Sequence, residues 1–114
     1  MTGEILLVHT DGRTERIPAE NPLKLERLQE LVGGYIEVLR VSEDLFAVIN
    51  EEGRFLDLPI NVRYPELRGP VVFARLDDSG EEGPDLAPLT PLQLRILESV
   101  EWLNSCMRIV RINE

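Results

Sequence analysis

His9 and Cys106 are the only imidazole and the only thiol in the chain, so any mechanism needing a ring nitrogen beside a nucleophile must recruit a single histidine. His9 follows the apolar run Ile5-Leu6-Leu7-Val8 at the start of a turn, where a structural or surface role is expected rather than a catalytic one. One cysteine cannot close an intrachain disulfide, which fits a reducing compartment, and Cys and His are too few for a zinc site of their own. Gly33-Gly34 has neither the spacing nor the following helix of a phosphate-binding or dinucleotide loop. No catalytic residue, metal ligand or cofactor is assigned. The side chains left to do chemistry are Tyr35, Glu37, Asn50, Asn61 and Arg63: a phenol for stacking, a carboxylate, two amides for hydrogen bonds and a guanidinium for an anion.

The elements that must position these residues follow from pattern. Glu4 to Val8 reads as a strand, Thr10-Asp11-Gly12-Arg13 as a turn and Thr14 to Ile17 as the returning strand. Pro18 and Asn21-Pro22 break this pattern. Leu23, Leu25, Leu28, Leu31 and Val32 then predict a helix over 22–32, with Asn21 as N-cap, Pro22 in its first turn and Gly33-Gly34 at its end. Tyr35 to Val41 and Leu45 to Ile49 read as strands, the second central because it carries hardly a polar residue. Asn50-Glu51-Glu52-Gly53 predicts a turn with a left-handed glycine, and Arg54 to Leu58 a strand returning to the sheet until Pro59 ends it. Val71 to Leu76 is a strand covered on both faces.

Residues 77–85 contain no apolar side chain and are expected to form a mobile acidic connection, extending to residue 88, without calcium-loop spacing. Thr90 caps a last helix with Pro91 in its first turn and a core stripe of Leu92, Ile96, Val100 and Leu103. Met107 to Ile112 is a terminal strand whose edge could join two copies. The order β-β-α-β-β-β-β-α-β predicts an α+β fold: a mostly antiparallel sheet of six to seven short strands with two helices, in one domain spanning 1–114.

Twelve Lys+Arg against 21 Asp+Glu leave a net charge of −9 over 114 residues. That sign opposes direct nucleic-acid binding, which needs clustered cations. The surplus forms no long acidic block, so a solvated surface is expected rather than an imitation of DNA. No apolar run reaches membrane-spanning length and no leader peptide is recognisable, so a cytoplasmic protein is expected.

Leu28-Gln29-Glu30-Leu31-Val32-Gly33-Gly34-Tyr35-Ile36-Glu37, then Asn50-Glu51-Glu52-Gly53-Arg54 and Leu58-Pro59-Ile60-Asn61, resemble the domain-of-unknown-function family numbered 3846, in order and spacing over roughly 23–76. The resemblance implies a bacterial setting, frequently phages, plasmids and other mobile elements, and transfers no activity.

Alternation along Tyr35 to Val41 puts Tyr35, Glu37 and Leu39 on one face. If the strands pair as a meander, Tyr35, Glu37, Asn50, Asn61 and Arg63 converge on one pocket. The competing expectation is structural: Asn50 starting a turn, Asn61 capping a loop and Glu37 pairing with an arginine across a strand. Three functions follow. The leading one is a small interaction protein that modulates a protein partner, with self-association as a further option. The second is a module that captures a small polar ligand or nucleotide through the five residues. The third, ranked last for want of a second in-pattern acid, is an enzyme using Glu37 as base.

Overall fold

The computed structural model describes residues 2–77, 85–99 and 110–111. Strand β1 (Thr2–Val8) and strand β2 (Thr14–Glu20) form the expected hairpin, with Ile5 opposite Ile17. β2 runs three residues past the predicted end, through Pro18. Among the described residues it pairs only with β1, and a proline that cannot donate to a ladder is tolerated at such an edge. Pro18 and the exposed Glu15, Arg16 and Glu20 also make this edge a poor template for another strand.

Helix α1 (Leu25–Val32) begins three residues later than predicted. Asn21 is not its cap: Lys24, in extended conformation and without a side-chain cap bond, takes that place. The physical reason lies just upstream, where the Leu23 N–H donates to the Leu86 carbonyl at 2.9 Å and holds the segment against the sheet. The other end is as expected, with Gly33 left-handed at φ 83° and its N–H on the Gln29 carbonyl.

Strands β3 (Ile36–Arg40), β4 (Leu45–Asn50) and β5 (Val71–Asp77) pair antiparallel in turn. The main path is β2-β1-β5-β4-β3-β7, where β7 (Val110–Arg111) pairs with Leu39 and Arg40. Strand β6 (Asp85–Ala87) lies where a mobile connection was expected; it pairs with Arg75–Asp77 of β5, beyond the stretch that β1 covers. Its Leu86 packs against the core. Residues 78–84, the rest of that connection, lie outside the described residues.

The fold is α+β, an antiparallel sheet with two helices, and alternation sends side chains into two cores. Ile5, Leu7, Val48, Val72 and Ala74 face α1 through Leu28 and Val32. Leu6, Val8, Ala47, Ile49 and Phe73 face the 51–70 connection and helix α2 (Pro91–Glu98), through Tyr64, Leu67, Leu94 and Leu97. This two-sided cover explains why all six residues of β4 are buried and why the strand reads as continuously apolar.

Thr90 caps α2 as predicted, its hydroxyl accepting from the Gln93 N–H at 3.1 Å while the Gln93 side chain returns a bond to the Thr90 N–H. The apolar stripe differs. Leu94 and Leu97 face the core, whereas Leu92 is 64% exposed and Ile96 is also on the surface. Both sets satisfy helical spacing; the bidentate Arg16–Glu98 bond, at 3.0 and 2.6 Å, helps fix the rotation chosen. Val100 and Leu103, and the tail apart from Val110 and Arg111, lie outside the described residues. Among the described residues no helix is long and apolar enough to cross a membrane.

Candidate functional site

The predicted strand from Arg54 to Leu58 is absent; residues 51–57 wind through successive turns. β4 explains this, since β3 and β5 already occupy both its edges and leave a returning strand nothing to pair with. The chain instead closes on itself, with the Gly53 N–H on the Asn50 carbonyl, Leu56 on Glu52 and Leu58 on Gly53. Gly53 does not take the predicted left-handed conformation; Asp57 does, at φ 54°. Gly53 is needed for closeness instead, because a Cβ there would sit 3.0 Å from the Arg68 carbonyl oxygen.

Two buried asparagines hold this segment. Asn50, 3% exposed at the end of β4, donates from Nδ2 to the Val32 carbonyl at 3.1 Å and accepts the Glu52 N–H at 2.8 Å. It thereby ties the end of α1 to the start of the turns. Asn61, fully buried, donates from Nδ2 toward the carbonyls of Val8, His9 and Gly69 at 3.1–3.4 Å and accepts from the N–H groups of Arg63 and Tyr64. Arg63 extends the same clamp, its Nε donating to the Gly12 carbonyl at 2.6 Å. A buried amide that meets several backbone groups at once is a rigid joint, because each of those groups would otherwise be unsatisfied.

The five sequence-nominated residues therefore separate. Glu37 and Asn50 line one cleft of about 500 Å³. Asn61 and Arg63 stand at the β1–β2 turn. Tyr35 is exposed and bonds through its backbone, its carbonyl accepting the Glu51 N–H at 2.8 Å.

The cleft draws on residues that sequence reading missed. Glu51, Arg54, Glu66 and Arg68 share it with Glu37 and Asn50, and Arg54, Glu66 and Arg68 continue into a second cleft of about 350 Å³ that includes Asp57 and Ile60. Arg68 is partly engaged, donating from Nη1 to Asp57 at 3.1 Å and to the Leu58 carbonyl at 3.2 Å. Beside the clefts the clamped segment leaves Phe55 86% exposed, with Leu56, Ile60 and Val62 also largely in solvent. The lone signal for these residues was the crowding of apolar side chains between Gly53 and Val62 without strand alternation.

His9 contacts Glu15 at 2.9 Å at the hairpin end, away from the cleft lining. Among the described residues no group of three His, Cys, Asp or Glu side chains could hold a metal ion. Tyr64 packs edge-on against Phe73, ring centroids 5.6 Å apart, and burial pushes its hydroxyl above the usual phenol range.

The family model described as Domain of unknown function (DUF3846) matches residues 1–98. No curated protein matches the chain, and no solved structure does.

Proposed function

The chain belongs to the DUF3846 family, whose description assigns no activity, and from the geometry of the 51–68 segment we propose that it is a protein-interaction module that modulates a partner protein. The observation that carries this reading is Phe55, 86% exposed on a segment clamped at both ends by buried asparagines. A phenylalanine held in water forgoes the stabilisation that burial supplies, of order 2 kcal/mol. Rigid aromatic anchors with arginine beside them are the groups that dominate protein interfaces, because little entropy is lost when they are covered. Arg54 is the adjacent residue, and Leu56, Ile60 and Val62 supply further exposed apolar surface on the same segment. The reading includes a cytoplasmic setting, which the lone cysteine fits, and carriage on a mobile element, which the resemblance of the Leu28–Glu37, Asn50–Arg54 and Leu58–Asn61 blocks implies. A second copy of the chain is the alternative partner.

The test is affinity capture from host lysate with wild type and Phe55→Ser side by side, with mass spectrometry of what is retained. An exposed side chain contributes little to folding, so the variant should melt within about 0.5 kcal/mol of wild type. A discrete protein held by wild type and lost with Phe55→Ser supports the reading. An identical set of proteins held by both variants overturns it.

A further inference from the structure

We propose that the paired clefts beside this surface bind a dipolar ligand, one that carries both a carboxylate and an ammonium group, as a short peptide does. This goes beyond the interaction surface: its anchor Phe55 lines neither cleft, although Arg54 and Ile60 belong to that surface and also line the clefts.

Arg54, Glu66 and Arg68 line both clefts, and Glu37 and Glu51 line the larger. Among the described residues, Arg54, Glu51 and Glu66 have no ion-pair partner, and Arg68 uses only Nη1 within the chain, leaving Nε and Nη2. Unpaired charges of both signs therefore border one concavity of about 500 Å³, within the size range of small-molecule sites.

A simple anion would be drawn to the guanidiniums but would meet three carboxylates and a chain of net charge −9. A simple cation would meet two arginines. A dipolar molecule has no net charge to be repelled, and it satisfies both sets at once: its carboxylate accepts from Arg54 and Arg68, and its ammonium donates to Glu51 or Glu66. The apolar walls, Ile49 and Leu67, lie behind this polar rim. Two sources share the chemistry: a free short peptide, with its charges at the termini, and a stretch of a partner protein, with its charges on side chains.

The test follows the backbone amides of Gly53, Arg54 and Leu67 by NMR in the full chain during titration with triglycine, N-acetyl-triglycine and triglycine amide. A fourth probe, blocked at both ends, carries lysine and glutamate side chains two residues apart. Saturable shifts with triglycine in the millimolar range, about tenfold weaker for each singly charged form, are expected, because each removed charge loses its charge-assisted contacts. Arg54→Gln should reduce the preference over triglycine amide, with Arg68 keeping the remainder, and Glu66→Gln should reduce the preference over N-acetyl-triglycine, with Glu51 keeping the remainder. Both positions are exposed, so the fold should survive. Stronger binding of the fourth probe than of triglycine also supports the proposal and assigns the ligand to a partner protein. Equal binding of charged and singly blocked forms, or no shift with either dipolar probe, overturns it. Phe55→Ser should leave the titration unchanged, so a failed partner capture and a failed titration are separate results.

Discussion

Asn61→Ala removes the joint on which the exposed segment depends. Its side-chain amide lies among the carbonyls of Val8, His9 and Gly69, and its Oδ1 accepts the N–H groups of Arg63 at 3.0 Å and Tyr64 at 3.3 Å. Truncation leaves the buried Tyr64 N–H and the part-buried Arg63 N–H without an acceptor, and an unsatisfied buried group costs about 1–3 kcal/mol. Taking about 2 for the first and about 1 for the second gives a loss of about 3 kcal/mol, a large share of the 5–15 typical of a domain. At about 4 °C per kcal/mol for a domain of this size, Tm should fall by roughly 12 °C. The assay is thermal and urea unfolding of wild type, Asn61→Ala and Phe55→Ser, the last an exposed control on the same segment. A two-state transition with unchanged m-value would show that the loss is one of stability rather than of altered compactness. An Asn61→Ala protein within 0.5 kcal/mol of wild type would refute the reasoning, since a real joint cannot be removed at so small a cost.

Two further expectations concern stability. The Tyr64 hydroxyl is buried without a hydrogen-bond partner among the described residues, so Tyr64→Phe should stabilise the protein by about 1 kcal/mol in urea unfolding; a loss of that size would mean the hydroxyl is satisfied. The Arg16 guanidinium holds the Glu98 carboxyl below its ordinary value of 4.5, so the pair contributes stability above that value and loses it as pH falls through the lowered one. Because the pair is solvent-screened, Glu98→Gln should cost under about 1 kcal/mol at pH 7 and nothing at low pH, and a loss independent of pH in urea titrations would contradict this.

How far the fold could be read from residues alone depended on whether a signal was local. The runs Ile5–Val8, Leu45–Ile49 and Val71–Ala74 announce strands because both sheet faces are covered, and Gly33 and Thr90 act as the caps their types imply. The errors arose where a distant partner decides. Arg54 to Leu58 has strand-forming residues, but the neighbours of β4 leave it no edge. The start of α1 depends on a bond from Leu23 to Leu86, 63 positions away. On α2, Leu92–Ile96 and Leu94–Leu97 are equally helical in spacing, and packing chose the second. Asn50 and Asn61 were singled out as site residues or as structural caps; the hydrogen bonds found are to backbone, and they hold the surface on which Phe55, Arg54 and Arg68 stand. None of those three was nominated: an assumed strand hid the exposure of Arg54 and Phe55, and Arg68 lies in an irregular connection with no local pattern to mark it.

The claim that Phe55 faces a partner is tested most directly by placing a photo-crosslinking benzoyl-phenylalanine at position 55 in the living host, with the same residue at the exposed position 43 in the β3–β4 turn as control. The account predicts a discrete adduct from position 55 on illumination and none from position 43. No adduct at either position, or the same adducts at both, would contradict it.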